Sequence, residues 1–197
     1  MRHVAFMRHG QAESNVKRQL RSAGSDALTA KGERQAEQAA DFLRNWGAKQ
    51  ILSSDLKRAS QTSLIISQTL GLKPFLSPSF RERSYGEYEG FRISDVEKKR
   101  TLLGHQFVDP TQDWHGIESV ETPDTVAERV LPEVERCILK DKALVVTHAG
   151  VLVSLVRWLS RSDAPRGIFK FPYCSILWLE NKETYWEIRG IIPIGEV

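Results

Sequence analysis

Cysteine is almost missing from this sequence: Cys137 and Cys174 are the only two, far apart and without CxxC spacing. That excludes a disulfide framework and a cysteine-built zinc site, and leaves free thiols, which we read as buried. Long apolar runs are missing too. No stretch approaches the ~20 residues that a membrane span requires, and the opening segment runs from Met1 straight into Arg8 with nothing like a signal peptide. A cytoplasmic, membrane-free protein is the expectation. Nor does one sign of charge dominate, since 28 Lys and Arg against 25 Asp and Glu leave a net +3. So small an excess argues against a nucleic-acid partner and suits a small anionic substrate. His3, His105 and His115 form no HExxH spacing, so the pattern implies no metal and no cofactor.

What is present fits one globular domain of 197 residues, 41% hydrophobic and 27% charged. Short apolar runs at residues 4–7 and 142–147 read as buried parallel strands, and each ends on a histidine, His9 and His148. Residues 29–46 place Ala36, Ala39, Ala40 and Leu43 on one helical face, with Gly47 as the stop. A strand at Ile51 and Leu52 leads to a second helix over 56–70, capped by Ser54 or Asp55, with Ala59, Leu64, Ile65 and Leu70 as its apolar residues. A short strand at 73–76 follows. From 79 to 123 the periodicity weakens, and this part reads as an inserted, lid-like segment. Thr122 and Pro123 open a helix carrying Val126, Val130 and Val134, in which Pro132 should impose a kink. Residues 150–159 form a packed helix, and 175–179 with 185–188 a closing strand pair. Strands alternating with helices predict a three-layer α/β/α sandwich around a mostly parallel sheet, with ligands beyond the carboxyl ends of its strands.

The densest chemistry is Met7-Arg8-His9-Gly10-Gln11-Ala12-Glu13-Ser14-Asn15. An imidazole attacks phosphorus only if one ring nitrogen is unprotonated, so the other must donate to a fixed acceptor, and nearby cations disfavour the doubly protonated ring. Arg8 supplies such a cation and a fork for phosphate oxygens. Gly10 lets the backbone come close, and Asn15 offers an amide donor. Lys17, Arg18 and Arg21 read either as a solvated loop or as a phosphate-attracting rim. No cysteine is followed six positions later by arginine, and neither a DxDx nor a GxxxxGK motif occurs.

The Arg8-His9-Gly10 motif with Asn15 resembles the signature of the histidine phosphatase superfamily, the phosphoglycerate-mutase-like proteins. Further matches follow in the family's order: residues 26–36, Ser53-Ser54-Asp55-Leu56-Lys57-Arg58-Ala59, Glu82-Arg83-Ser84-Tyr85-Gly86, and Val146-Thr147-His148-Ala149-Gly150. The resemblance implies a phosphoglycerate-mutase-like fold and a phosphatase working through phosphohistidine. His9 would be the nucleophile, and Arg8, Arg58, His148 and Asn15 would hold the phosphoryl oxygens. Glu82 would be the general acid and base, its pKa raised by a bound phosphate.

Each residue has a plainer reading: His9 as a core histidine, Arg58 as a solvated helix arginine, Glu82 as a surface ion pair with Arg81 or Arg83, and Glu87 or Glu89 as the acid instead. Gln11 and Ala12 depart from the Glu-Thr common in the family, and Ala149-Gly150 from its paired glycines. A mutase that returns the phosphoryl group to its substrate, and a binding module without turnover, are the rival functions. The resembling mutases carry longer insertions and a C-terminal tail, and this chain ends about ten residues past its last predicted strand, which favours hydrolysis. Tyr85, Tyr88, Phe91, Phe107 and Trp114 either line an apolar wall for the leaving group or pack the insert on the core. The oligomeric state is not legible, a homodimer being one option.

Overall fold

The computed structural model describes residues 2–102, 118–160, 169–182 and 184–194, the side chain of Arg100 excepted. His105, Phe107, Trp114 and His115 lie outside them. In chain order the elements are β1 (Arg2–Arg8), α1 (Glu13–Val16), α2 (Ala30–Trp46), β2 (Gln50–Ser54), α3 (Lys57–Leu70) and β3 (Pro74–Ser77). Then come 3-10 turns at Pro78–Phe80 and Gly86–Tyr88, α4 (Ile93–Leu102), α5 (Pro123–Cys137), β4 (Ala143–Thr147), α6 (Ala149–Ser160), β5 (Ile176–Asn181) and β6 (Trp186–Ile192).

The strands form one sheet in the order β3-β2-β4-β1-β5-β6. The first four run parallel, and the pairings of β1 with β5 and of β5 with β6 are antiparallel, so β5 alone runs against the rest. Because side chains alternate across a strand, each central strand feeds two cores. Val4, Phe6, Leu52 and Val145 pack with α5 and α6 on one face, and Ala5, Met7, Ile51, Leu144 and Val146 pack with α2 and α3 on the other. This is the expected three-layer sandwich with a mostly parallel sheet.

Local chemistry sets the helix ends. Thr29 accepts from the Gly32 N–H at 3.1 Å to start α2, and Gly47, at φ +78°, ends it in the left-handed conformation. α3 departs from expectation. Its N-cap is Leu56, without a side-chain cap, because Ser54 Oγ is used by the Leu56 N–H and His148, while Asp55 pairs with Arg81. Its buried face is Ala59, Thr62, Ser63 and Ile66, and Leu64 is exposed. α5 runs unbroken through Pro132, which sits with Glu128 on the exposed side, where the carbonyl freed by the missing N–H meets water.

The weakly periodic segment also carries more order than expected. It contains α4, on which Val96 is the only buried residue among the described side chains, so no apolar repeat marks it. Tyr85, Tyr88, Val96 and Val120 gather with Leu20 in a small separate cluster. Cys174 is buried and Cys137 only half-buried. No helix among the described residues is long and apolar enough to cross a membrane.

Candidate active site

Strand register brings the two histidines together. Arg8 pairs with Thr147 across β1 and β4, so both chains leave the sheet at the same level, and the His9 N–H donates to the Thr147 carbonyl at 2.9 Å. The rings stand 5.0 Å apart, centroid to centroid, and both are buried. His9 Nδ1 lies 2.6 Å from the Gly10 carbonyl, which has no proton to give, so Nδ1 carries the hydrogen and Nε2 keeps its lone pair. Arg58 Nε donates to that Nε2 at 3.2 Å. Burial, then Arg58, then Arg8 hold the His9 pKa well below the usual imidazole value. The fixed acceptor demanded by the sequence argument is thus a backbone carbonyl.

Arg58 is the best-anchored cation of the site. Besides His9, it donates to Asp26 Oδ1 at 2.8 Å and to the Arg21 carbonyl at 2.7 Å, which occupies three of its five N–H groups. Asp26 also accepts from Ser14 Oγ. Neither Asp26 nor Ser14 stood out in the sequence, because the contact that gives them meaning spans 32 residues. Arg8 is held by a different loop: Nη1 donates to the Phe171 carbonyl at 2.6 Å, and the guanidinium lies 4.0 Å over the Tyr173 ring.

His148 is fully buried at the N-terminus of α6. The Leu56 N–H donates to Ser54 Oγ at 3.2 Å, and that hydroxyl lies 2.9 Å from His148 Nε2. If the hydroxyl passes its own hydrogen to Nε2, Nδ1 becomes a donor, and Nδ1 has no partner among the described residues. Burial, Arg58 and His9 keep this ring neutral as well.

Glu82 is not a surface ion pair. It is 8% exposed, and its oxygens accept from the Arg83 N–H at 2.8 Å and the Gly150 N–H at 3.3 Å. Arg81 instead pairs with Asp55, and the buried Arg83 donates to the Glu121 carbonyl. Burial raises the Glu82 pKa above the usual carboxylate value, against the pull of Arg58 and the two amides. The carboxyl is therefore shifted upward by the protein alone, without a phosphate. Gly150 is needed here, since a Cβ would lie 2.4 Å from Glu82 Oε1. The departure to Ala149 leaves this glycine in place. Glu87 pairs with Lys99, and Glu89 closes the loop at Ser22 and Ala23, and neither lines the cavity that Glu82 lines.

Asn15 Oδ1 accepts from the Ala12 N–H at 2.9 Å, which leaves its amide hydrogens for another acceptor. Gln11 ties the loop to α2, its side chain accepting from Thr29 Oγ and its N–H donating to Gln35. Arg8, His9, Asn15, Arg58 and Glu82 line one cavity of about 750 Å³. Arg21 reaches it too, whereas Lys17 and Arg18 do not. Of the predicted aromatic wall Tyr85 reaches the cavity. Tyr88 packs in the small cluster, and Phe91 is exposed. Among the described residues no three His, Cys, Asp or Glu side chains gather as metal ligands would.

Proteins named probable phosphoglycerate mutase GpmB are similar over 96% of this chain and 90% of their own, at 31% identity in Salmonella arizonae and 28% in Erwinia tasmaniensis. Similar folds include Bacillus stearothermophilus YhfR, with TM-score 0.78 and 21% identity over 96% of both chains. A mycobacterial glucosyl-3-phosphoglycerate phosphatase solved with VO3 has TM-score 0.75 and 22% identity, over 95% of this chain and 97% of that one. A putative α-ribazole-5'-P phosphatase of Escherichia coli has TM-score 0.73 and 19% identity, over 98% of both. A model of the histidine phosphatase superfamily (branch 1) matches residues 4–192, and the chain belongs to that superfamily.

Proposed function

We propose that this protein hydrolyses phosphate monoesters through a phosphohistidine on His9. The observation that carries the proposal is the locked ring: Nδ1–H is tied to the Gly10 carbonyl, and the Nε2 lone pair faces Arg58 at 3.2 Å. An incoming phosphoryl oxygen takes the Arg58 N–H onto itself and so frees Nε2 beside phosphorus. Nε2 then attacks, the bond from phosphorus to the ester oxygen breaks, and Glu82 gives its proton to the departing alkoxide. Arg8, Arg58, the free Nδ1–H of His148 and the Asn15 amide neutralise the phosphoryl oxygens. In the second half Glu82 takes a proton from water, the hydroxide attacks phosphorus, the P–N bond breaks and inorganic phosphate leaves. The raised Glu82 pKa supports its duty as the acid. The phosphatases among the similar folds support hydrolysis.

A second reading has one observation in its favour, the mutase name carried by the relatives at about 30% identity. One experiment separates the two. Wild type and His9→Ala are incubated with an aryl phosphate and with 3-phosphoglycerate, in excess EDTA, while inorganic phosphate and the phosphoglycerate isomers are measured. Phosphate release that survives EDTA and is lost in His9→Ala is the expected result. Isomerisation without phosphate release would establish the mutase. Activity removed by EDTA, or kept by His9→Ala, would refute the mechanism.

A further inference from the structure

The cavity extends well beyond the groups that meet a phosphoryl, and part of that extension is a wall of apolar and aromatic side chains, with Gln19 and Gln35 among its polar neighbours. α6 starts at the site, where Gly150 donates to Glu82, and one turn further along the same face Val153 lines the cavity. Tyr85, three residues after Glu82, is buried, and burial drives its pKa upward, so it stays a neutral phenol. Leu20, Ile93, Phe169 and Tyr173 line the cavity as well, and the Tyr173 ring is the one that carries Arg8. These side chains come from five separate parts of the chain, and Leu20 and Val153 are at most 5% exposed. Glu82 is the only carboxylate lining the cavity among the described residues. The volume of about 750 Å³ falls in the ~300–1,000 Å³ range of sites that enclose drug-sized ligands. A three-carbon phosphoacid would leave most of it to water against apolar walls, an arrangement that disfavours such a ligand.

We infer that the Leu20, Tyr85, Ile93, Val153, Phe169 and Tyr173 wall is a leaving-group subsite for monoesters whose alcohol carries an apolar or aromatic body. The inference rests on the phosphatase reading for its chemistry, and on the cavity alone for its ligand class. Arg21, Lys31 and Lys170 also reach the cavity, but all three are exposed, so they attract the phosphoryl charge without contributing to the buried wall. Of this wall only Tyr85 was expected from the sequence, because Phe169 and Tyr173 lie far from the 79–123 segment in which a wall was sought.

Ethyl phosphate and 2-phenylethyl phosphate test it, because both release alkyl alcohols of similar acidity and differ mainly in the ring. The expected kcat/KM favours the phenylethyl ester by roughly ten- to a hundredfold. Phe169→Ala and Ile93→Ala, both at partly exposed positions, should each remove several-fold to tenfold of that preference, lowering kcat/KM for the phenylethyl ester more than for the ethyl ester. Equal rates for the two esters, equal losses on both in the variants, or a preference for 3-phosphoglycerate over the phenylethyl ester would overturn the subsite. Calorimetric binding of the same three esters to His9→Ala protein separates the two proposals. If nothing is hydrolysed, the phosphatase reading fails, while tighter binding of the phenylethyl ester still upholds the subsite and equal binding rejects it.

Discussion

Asp26 Oδ1 stands 2.8 Å from Arg58 Nη1, joining two side chains that are 10% and 2% exposed. The other oxygen of the same carboxylate accepts from Ser14 Oγ at 2.5 Å. The guanidinium that meets His9 is thus aimed by a carboxylate behind it and by the Arg21 carbonyl beside it. Asp26 itself has no contact with His9 or Glu82 among the described hydrogen bonds, so it acts through Arg58.

Asp26→Asn should lower kcat/KM by roughly 10- to 100-fold, the worth of a charge-assisted hydrogen bond of about 1.5–3 kcal/mol. The loss should nearly vanish when Asp26→Asn is added to Arg58→Ala, since the aspartate then has nothing to aim. Full additivity in that double-mutant cycle would show that Asp26 works some other way. Asp26→Ala, which leaves a buried guanidinium unpaired, should cost about 3–5 kcal/mol in urea unfolding.

The pH dependence follows from two opposed shifts. Burial, Arg58 and Arg8 hold His9 neutral to well below pH 6.5, and burial keeps Glu82 protonated above the ordinary 4.5. Activity should therefore fall on the acid side below 6.5 and on the alkaline side above the usual carboxylate range. Glu82→Gln should lower kcat by about 10²–10⁴ and remove the alkaline limb. A limb that persists in Glu82→Gln would assign it to another group.

Stability is linked to the same groups. The folded pKa of Glu82 lies above its unfolded value, so its contribution is complete below 4.5 and is lost as pH rises through the raised value. For His9 and His148 the folded pKa is lowered. Their contribution is complete above 6.5 and is lost as pH falls toward the lowered values. The stability of Glu82→Gln relative to wild type should thus increase as pH rises from 4.5, in denaturant titrations across that range. A difference independent of pH would contradict the direction of the shift.

Glycine inside a helix is normally worse than alanine by about 1 kcal/mol. At Gly32 the sign should reverse. A Cβ there would lie 2.0 Å from the Gln11 carbonyl oxygen, and one on Gly10 would lie 2.3 Å from the Gly32 carbonyl oxygen. α2 packs its first turn directly on the loop that carries His9, and backbone atoms cannot step aside as a side chain could. Gly32→Ala should destabilise the protein by roughly 1–3 kcal/mol and reduce turnover. Thermal unfolding showing a gain would refute the close approach.

Two neighbouring arginine pairs should behave differently. Arg81 and Asp55 form an exposed pair, and Arg81→Ala should change stability by less than about 1 kcal/mol with activity intact. Arg129 binds Glu121 with two nitrogens and donates to the Ser79 and Glu82 carbonyls, which fixes the turn that presents Glu82. Arg129→Ala should reduce kcat by about tenfold or more, the equivalent of ~1.4 kcal/mol of positioning. An Arg129→Ala enzyme as active as Arg81→Ala would show that the turn holds without it.

Much of the fold was legible because its signals are local. The apolar runs of β1 and β4, the Thr29 cap, the Ala36 to Leu43 face and the Gly47 stop each depend on residues a few positions apart. α4 escaped notice because, among its described side chains, Val96 alone is buried, and one buried position makes no apolar period. The capping of α3 was misread for a related reason, since Ser54 and Asp55 found more distant partners in His148 and Arg81.

By itself the sequence determined the sandwich and the set of chemical groups, because strand and helix periodicity and the motif order are written in neighbouring residues. Tertiary structure alone decided how those groups are tuned. It set Arg58 between Asp26 and His9 and removed Glu82 from water. It also brought Phe169 and Tyr173 to the cavity, which Tyr85 reaches and Tyr88 and Phe91 do not. Charge coupling and desolvation depend on distances and on excluded solvent, and those exist only once residues far apart in the chain have been packed together.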